Sequence, residues 1–129
     1  MTGRDVTYLI HILEAITYIE DFSKTISSAA ELKDHPLERA GIERMLTIIG
    51  EASKQISPAF KNEHPQIPWK EAAGMRDKIM HHYFGVDYEA VFETVQHDLP
   101  GLKKEISALV KSSETEEHTS PIEEDGTRQ

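Results

Sequence analysis

Four side chains with useful chemistry fall within eight residues: Arg76, His81, His82 and Tyr83, in the run Met75-Arg76-Asp77-Lys78-Ile79-Met80-His81-His82-Tyr83-Phe84-Gly85. A guanidinium grips phosphate oxygens through a planar fork and stays charged at any working pH. An imidazole takes and gives protons near neutrality. RNA brings its own nucleophile, the 2'-hydroxyl beside every phosphodiester. Arginine and histidine together are therefore the minimum equipment for cutting RNA without a metal. The spacing is informative only as a composite. With five Arg and seven His in the chain, roughly 0.3 pairs of Arg followed by His five positions later arise by chance, and requiring Tyr two residues further lowers that to roughly 0.01.

An ordinary reading competes with the chemical one. Arg76 pairs with Glu71 or Asp77 on a solvated face, and His81, His82 and Tyr83 merely finish a helix whose dipole favours cations at its end. Helix geometry divides the evidence. Arg76 and Tyr83 are seven residues apart, about 20° short of two turns, and share a face. His81 lies about 140° from Arg76 if the helix is continuous. For both to meet one phosphate, the helix must loosen near Met80, which Gly85 makes plausible, or a second copy must complete the site. Glu51, on an otherwise apolar helix, is a further suspect: if buried, it needs a partner, and Arg76 is the obvious one.

The elements that position these residues read as helices throughout. Residues 5–24 place Val6, Leu9, Ile12, Ile16 and Ile19 at three- and four-residue steps, and residues 37–56 repeat the pattern with Ile42, Leu46, Ile49 and Ile56. A short piece over 27–33 stops before Pro36. Pro65 and Pro68 bracket a loop, and Pro68 suits the first turn of a fourth helix reaching Met80 or His81. Asp87 is typed as an N-cap for a fifth segment running to Lys111. Pro100-Gly101 predicts a kink there, or a restart capped by Asp98. Beyond Lys111 the apolar period ends and Ser, Thr, Glu and Pro take over, which predicts a flexible acidic tail over 112–129 after a domain over 1–111. The fold class is all-α, an up-and-down bundle of about five helices. Trp69, at a helix start, is weighted toward a core anchor over a base-stacking platform.

Composition narrows the function. The chain has 129 residues, enough for one core, and no cysteine, which removes disulfides and Cys-ligated zinc and fits a reducing cytoplasm. No signal-peptide pattern or membrane-length apolar run is present, so a soluble cytoplasmic protein with no membrane contact is expected. His11, His35, His64, His97 and His118 share no ligand spacing; neither a metal nor a cofactor is expected. The net charge of −9 opposes non-specific nucleic-acid binding. Residues 114–129 hold six acids against Arg128, so without that −5 the body carries only −4. RNA must be found through a local patch or a partner.

At these residues the chain resembles the HEPN superfamily, specifically the HepT-like toxins encoded beside minimal nucleotidyltransferases. The signature of Arg, a polar residue, a short spacer and His matches Arg76-Asp77-Lys78-Ile79-Met80-His81, and its extension to Tyr matches Tyr83. Ile48-Ile49-Gly50-Glu51-Ala52, Ile67-Pro68-Trp69, Tyr83-Phe84-Gly85-Val86-Asp87 and Asp98-Leu99-Pro100 are similar to further family landmarks, so the likeness covers residues 5–111. His82 departs from the Gly common in relatives. The resemblance implies a dimeric bundle whose two Arg/His sets face one cleft, acting as a metal-independent endoribonuclease toxin of a type VII-like toxin–antitoxin system. It makes Arg76 and His81 catalytic, with Asp77 a polar accessory. It also makes Tyr83 the acceptor of AMP from the partner nucleotidyltransferase, the antitoxin. Glu51 and His82 stand as accessory candidates beside them. A catalytically inactive HEPN module that binds the nucleotidyltransferase or a nucleotide is the alternative.

Overall fold

A computed structural model of the protein describes residues 3–81 and 85–119; for Lys78, Met80, His81 and residues 114–119 it describes the backbone path alone. The expected all-α bundle is what it shows. The frame is a pair of twenty-residue helices, α1 (Gly3–Phe22) and α3 (Pro36–Gln55), which bury Leu9, Ile12, Ile16 and Ile19 against Ile42, Leu46 and Ile49. They run antiparallel. Asp5, near the start of α1 and 2% exposed, accepts hydrogen bonds from the Ser57 amide and hydroxyl, both at 2.9 Å, just beyond the end of α3. At the other end, the ring of Phe22 fills the space beside Gly41, where a Cβ would come within 2.6 Å of it. Between them α2 (Ala29–Asp34) starts on a capping box. Ser28 accepts from the Glu31 amide, and Glu31 reaches back to the amide and hydroxyl of Ser27.

Sequence reading and structure part company after α3. Beyond the end of α3, Pro58 occupies the first turn of a further helix, α4 (Pro58–Glu63), capped by Ser57 and anchored by Phe60 alone. The expected fourth helix is two, α5 (Trp69–Ala73) and α6 (Met75–Ile79), divided at Gly74. Trp69 is a core anchor, 8% exposed, with its indole N–H donating to the His64 carbonyl at 2.9 Å and its ring edge-on to Phe60. After Ile79 comes a two-residue antiparallel ladder, β1 (Met80–His81) with β2 (Gly85–Val86), which pairs Met80 with Val86 and His81 with Gly85.

Asp87 caps α7 (Tyr88–Glu93) as expected, accepting from the Ala90 amide at 3.0 Å. The irregularity expected near Pro100 takes the form of a widened turn just before it, with no capped restart at Asp98. A π-helical turn over Thr94–Asp98 leads directly into α8 (Leu99–Thr119). The wide turn has two causes. It relieves the clash between the Pro100 ring and the carbonyl four residues back. It also reconciles two apolar stripes: on an unbroken α-helix Leu102, Ile106 and Val110 would sit roughly 90° out of phase with Val91 and Thr94, about one residue of rotation. Absorbing that residue lets all five be buried together. Helix α8 also runs past Lys111, where the apolar period ends, to Thr119, with Ser113 buried; the remainder of the acidic tail, 120–129, lies outside the described residues. Among the described residues no helix is long and apolar enough to cross a membrane.

Candidate active site

The segment carrying Arg76 is placed from both ends. On its N-terminal side, α5 lies so close to α3 that a Cβ on Gly50 would sit 2.9 Å from the Ala73 carbonyl oxygen. Only glycine admits that approach, and it fixes the point at which α5 hands over to α6. In α6, Met75 (4% exposed) and Ile79 (1%) occupy positions i and i+4 and face the core. Arg76 and Asp77 are thereby turned out to the edge. On the C-terminal side, the Asp87 amide donates to the Ile79 carbonyl at 2.7 Å, so one residue closes α6 and caps α7. Gly85, opposite His81 in the ladder, takes a φ of +83° that other residues rarely adopt.

The consequence for His81 is that it does not continue the helix. The chain leaves α6 at Ile79 and is extended at Met80 and His81, so the 140° separation from Arg76 on a continuous helix does not apply. The expected loosening near Met80 is present in the backbone. His82 and Tyr83 lie outside the described residues.

Arg76 is half exposed, and the carboxylate near it is Asp77, at 3.8 Å, itself 76% exposed; it is not Glu71. So loose and solvated a contact contributes little and leaves the guanidinium fork able to meet a ligand. Arg76 lines an open cavity of about 240 Å³ together with Ala40, Glu43, Arg44 and Thr47 of α3. Glu51 is elsewhere. It is exposed, and it lines a different cavity of about 450 Å³ on the α1 side with Tyr8, His11 and Gln55. The expected pairing of Glu51 with Arg76 is therefore corrected: Glu51 is not buried, needs no partner, and sits about 10 Å further along α3 than Arg44.

The carboxylate of α3 that does share the cavity with Arg76 is Glu43, which sequence reasoning passed over. Burial pushes its carboxyl above the ordinary range, with Arg39 pulling the other way. Its Oε2 approaches the Arg39 guanidinium at 3.5 Å but is buried without a hydrogen bond, the ion pair being too long to supply one. Arg44 was also passed over. Nothing in the spacing links residues 43–47 to residue 76; only the packing of α6 on α3 does.

Comparison with known proteins places the chain in a family. A family model described as ribonuclease HepT-like matches residues 12–109. A protein of Thermococcus cleftensis named "Probable ribonuclease HepT" is 49% identical over 104 residues, covering 81% of this chain and 94% of the relative. A provisionally named RNase of Caldanaerobacter subterraneus is 42% identical, covering 81% and 92%. Another from Methanocaldococcus jannaschii is 40% identical over 121 residues, covering 93% and 99%. None of the solved structures matches the chain.

Proposed function

Because the chain belongs to the HepT-like ribonuclease family, we propose that it is a metal-independent endoribonuclease, the toxin of a type VII-like toxin–antitoxin pair, with Arg76 and His81 at its reacting centre. The observation that carries this reading is the break at Ile79. An exposed arginine stands on the first turn of the short α6, and the histidine five residues on is carried off the helix by an extended backbone that the Asp87 amide pins in place.

Arg76 holds the non-bridging oxygens and stabilises the added negative charge of the pentavalent transition state. The 2'-oxygen bonds to phosphorus as the bond to the 5'-oxygen breaks. One His81 accepts the 2'-proton, and a second, across a homodimer cleft, gives a proton to the leaving 5'-oxygen. The products are a 2',3'-cyclic phosphate and a 5'-hydroxyl, and DNA, lacking the nucleophile, is not cut. Asp77 beside Arg76 and His82 beside His81 serve as accessories. Tyr83 is the site at which a partner nucleotidyltransferase silences the toxin, because an attached AMP sets bulk and negative charge where RNA phosphate must bind.

The net charge of −9 favours the second reading, an inactive module that binds the nucleotidyltransferase or a nucleotide. Total RNA incubated with the protein in EDTA separates the two. Cleavage by the wild type, absent in folded Arg76→Ala and His81→Ala, supports the ribonuclease, and fragment ends carrying a cyclic phosphate support the route. An unmodified, folded protein that cuts nothing leaves the binding module. An added AMP mass on Tyr83 only with the partner enzyme and ATP present supports silencing.

A further inference from the structure

Four of the arginines lie among the described residues, and three of them are occupied to different degrees. Arg39 is tied on three sides, to Glu43, to the Lys33 carbonyl and to the Tyr88 hydroxyl and ring. Arg4 lies over the ring of Tyr8. Among the described residues, Arg76 has the loose contact with Asp77 and no other ion pair. Arg44 is exposed and has no hydrogen bond, ion pair or ring contact among the described residues. It nevertheless lines the same 240 Å³ cavity as Arg76.

Two guanidinium groups at one small opening repel each other, and the repulsion is relieved by an anion between or along them. The acidic side chain of that cavity does not play this part. Glu43 has Arg39 for its ion partner, and burial disfavours its charge. Thr47 adds a hydroxyl whose proton is committed to the Glu43 carbonyl at 3.0 Å, so it brings no charge of its own. A protein of net charge −9 that binds a polyanion needs cations concentrated where the strand passes. The α3–α6 cavity supplies two, Arg76 only loosely paired with Asp77 and Arg44 unpaired among the described residues.

We propose that Arg44 is a substrate-positioning residue that holds a phosphate of the RNA strand adjacent to the one held by Arg76. This rests on the ribonuclease reading for the identity of the strand, but it is a statement about binding and is tested as such. Fluorescein-labelled single-stranded RNA is titrated with His81→Ala protein, which does not consume it, and with the same protein carrying Arg44→Ala or Arg44→Lys, between low and moderate KCl. Loss of Arg44 raises Kd about tenfold, as expected for one charge-assisted contact. It also lowers the slope of log K against log salt by about 0.7, the value for one phosphate on a single strand. Arg44→Lys restores the slope and part of the affinity, since it keeps the charge and loses the fork. Arg44→Gln carries the same expectation as Arg44→Ala should the alanine protein fail to fold. An unchanged Kd, weaker binding with an unchanged slope, or no binding by any of these proteins overturns the proposal. Wild-type protein that cuts no RNA yet shows the Arg44-dependent slope removes the ribonuclease reading and keeps the contact; cleavage with a slope indifferent to Arg44 does the reverse.

Discussion

Helices α1 and α3 are each twenty residues long and bury an unbroken stripe between them, whereas the stretch carrying Arg76 is cut into two five-residue helices and a two-residue ladder. A five-residue helix has no stability of its own in water. The shape of α5, α6 and the hairpin is inherited from what they rest on: the groove at Gly50, the anchors Trp69, Met75 and Ile79, and the Asp87 amide. Stability and site geometry are therefore lodged in different parts of the molecule, and substitutions should separate them.

The sharpest separation is at Arg76. Arg76→Ala should lower RNA cleavage by at least about 100-fold, as loss of a positioned charge stabiliser does, with the urea midpoint unchanged because the side chain is half exposed and loosely paired. If the protein unfolds instead, the residue is structural. Asp5→Ala reverses the pattern. Removing the acceptor of two hydrogen bonds from Ser57 should cost about 1–3 kcal/mol in urea unfolding, with cleavage per folded molecule kept; a selective loss of cleavage would show that the α1–α3 clasp reaches the site. Asp87→Ala sits between the two. Losing the cap of α7 should cost about 1 kcal/mol, and loosening the Asp87 backbone that holds the Ile79 carbonyl should lower cleavage about tenfold, the rate falling further than that stability loss alone accounts for.

The smallest effect concerns pH. Burial raises the Glu43 carboxyl above its ordinary value of 4.5, so the folded protein holds that proton more tightly than the unfolded chain. The contribution to stability is complete below the ordinary value and is lost as pH rises through the raised one. Glu43→Gln should raise Tm at pH 7 by about 1–3 °C, and the difference should close as pH falls into the carboxylate range. A gain that persists at low pH would mean that packing, rather than charge, is responsible.

The contrast between the two regions also decides what could be read from the sequence. Long amphipathic stripes announce themselves, and α1 and α3 were placed to within two residues by Leu9 to Ile19 and Ile42 to Ile56. Asp87 as a cap and Trp69 as an anchor were equally plain, since each acts through neighbours in sequence. Helix α4 was missed because a single buried residue, Phe60, makes no period. The division at Gly74 and the ladder at Met80–Val86 were missed because two residues per strand make no alternation. Glu51 was assigned to Arg76 on the premise of burial, and its exposure depends on how α1 and α5 lie across α3, which a stripe of apolar residues does not encode. Arg44 and Glu43 were unmarked for the same reason.

The π-helical turn at Thr94–Asp98 has a consequence for how this chain tolerates changes in length. Elsewhere in α7, or in α8 before Leu102, a one-residue deletion rotates everything downstream by about 100° and swings Leu102, Ile106 and Val110 off the core. Within the turn the surplus residue is already looped out of register, so deletion there returns the helix to an ordinary pitch with those side chains still facing inward, and the remaining obstacle is the ring of Pro100. That short stretch is a built-in expansion joint, where the long C-terminal helix can be shortened by one residue without being re-aimed.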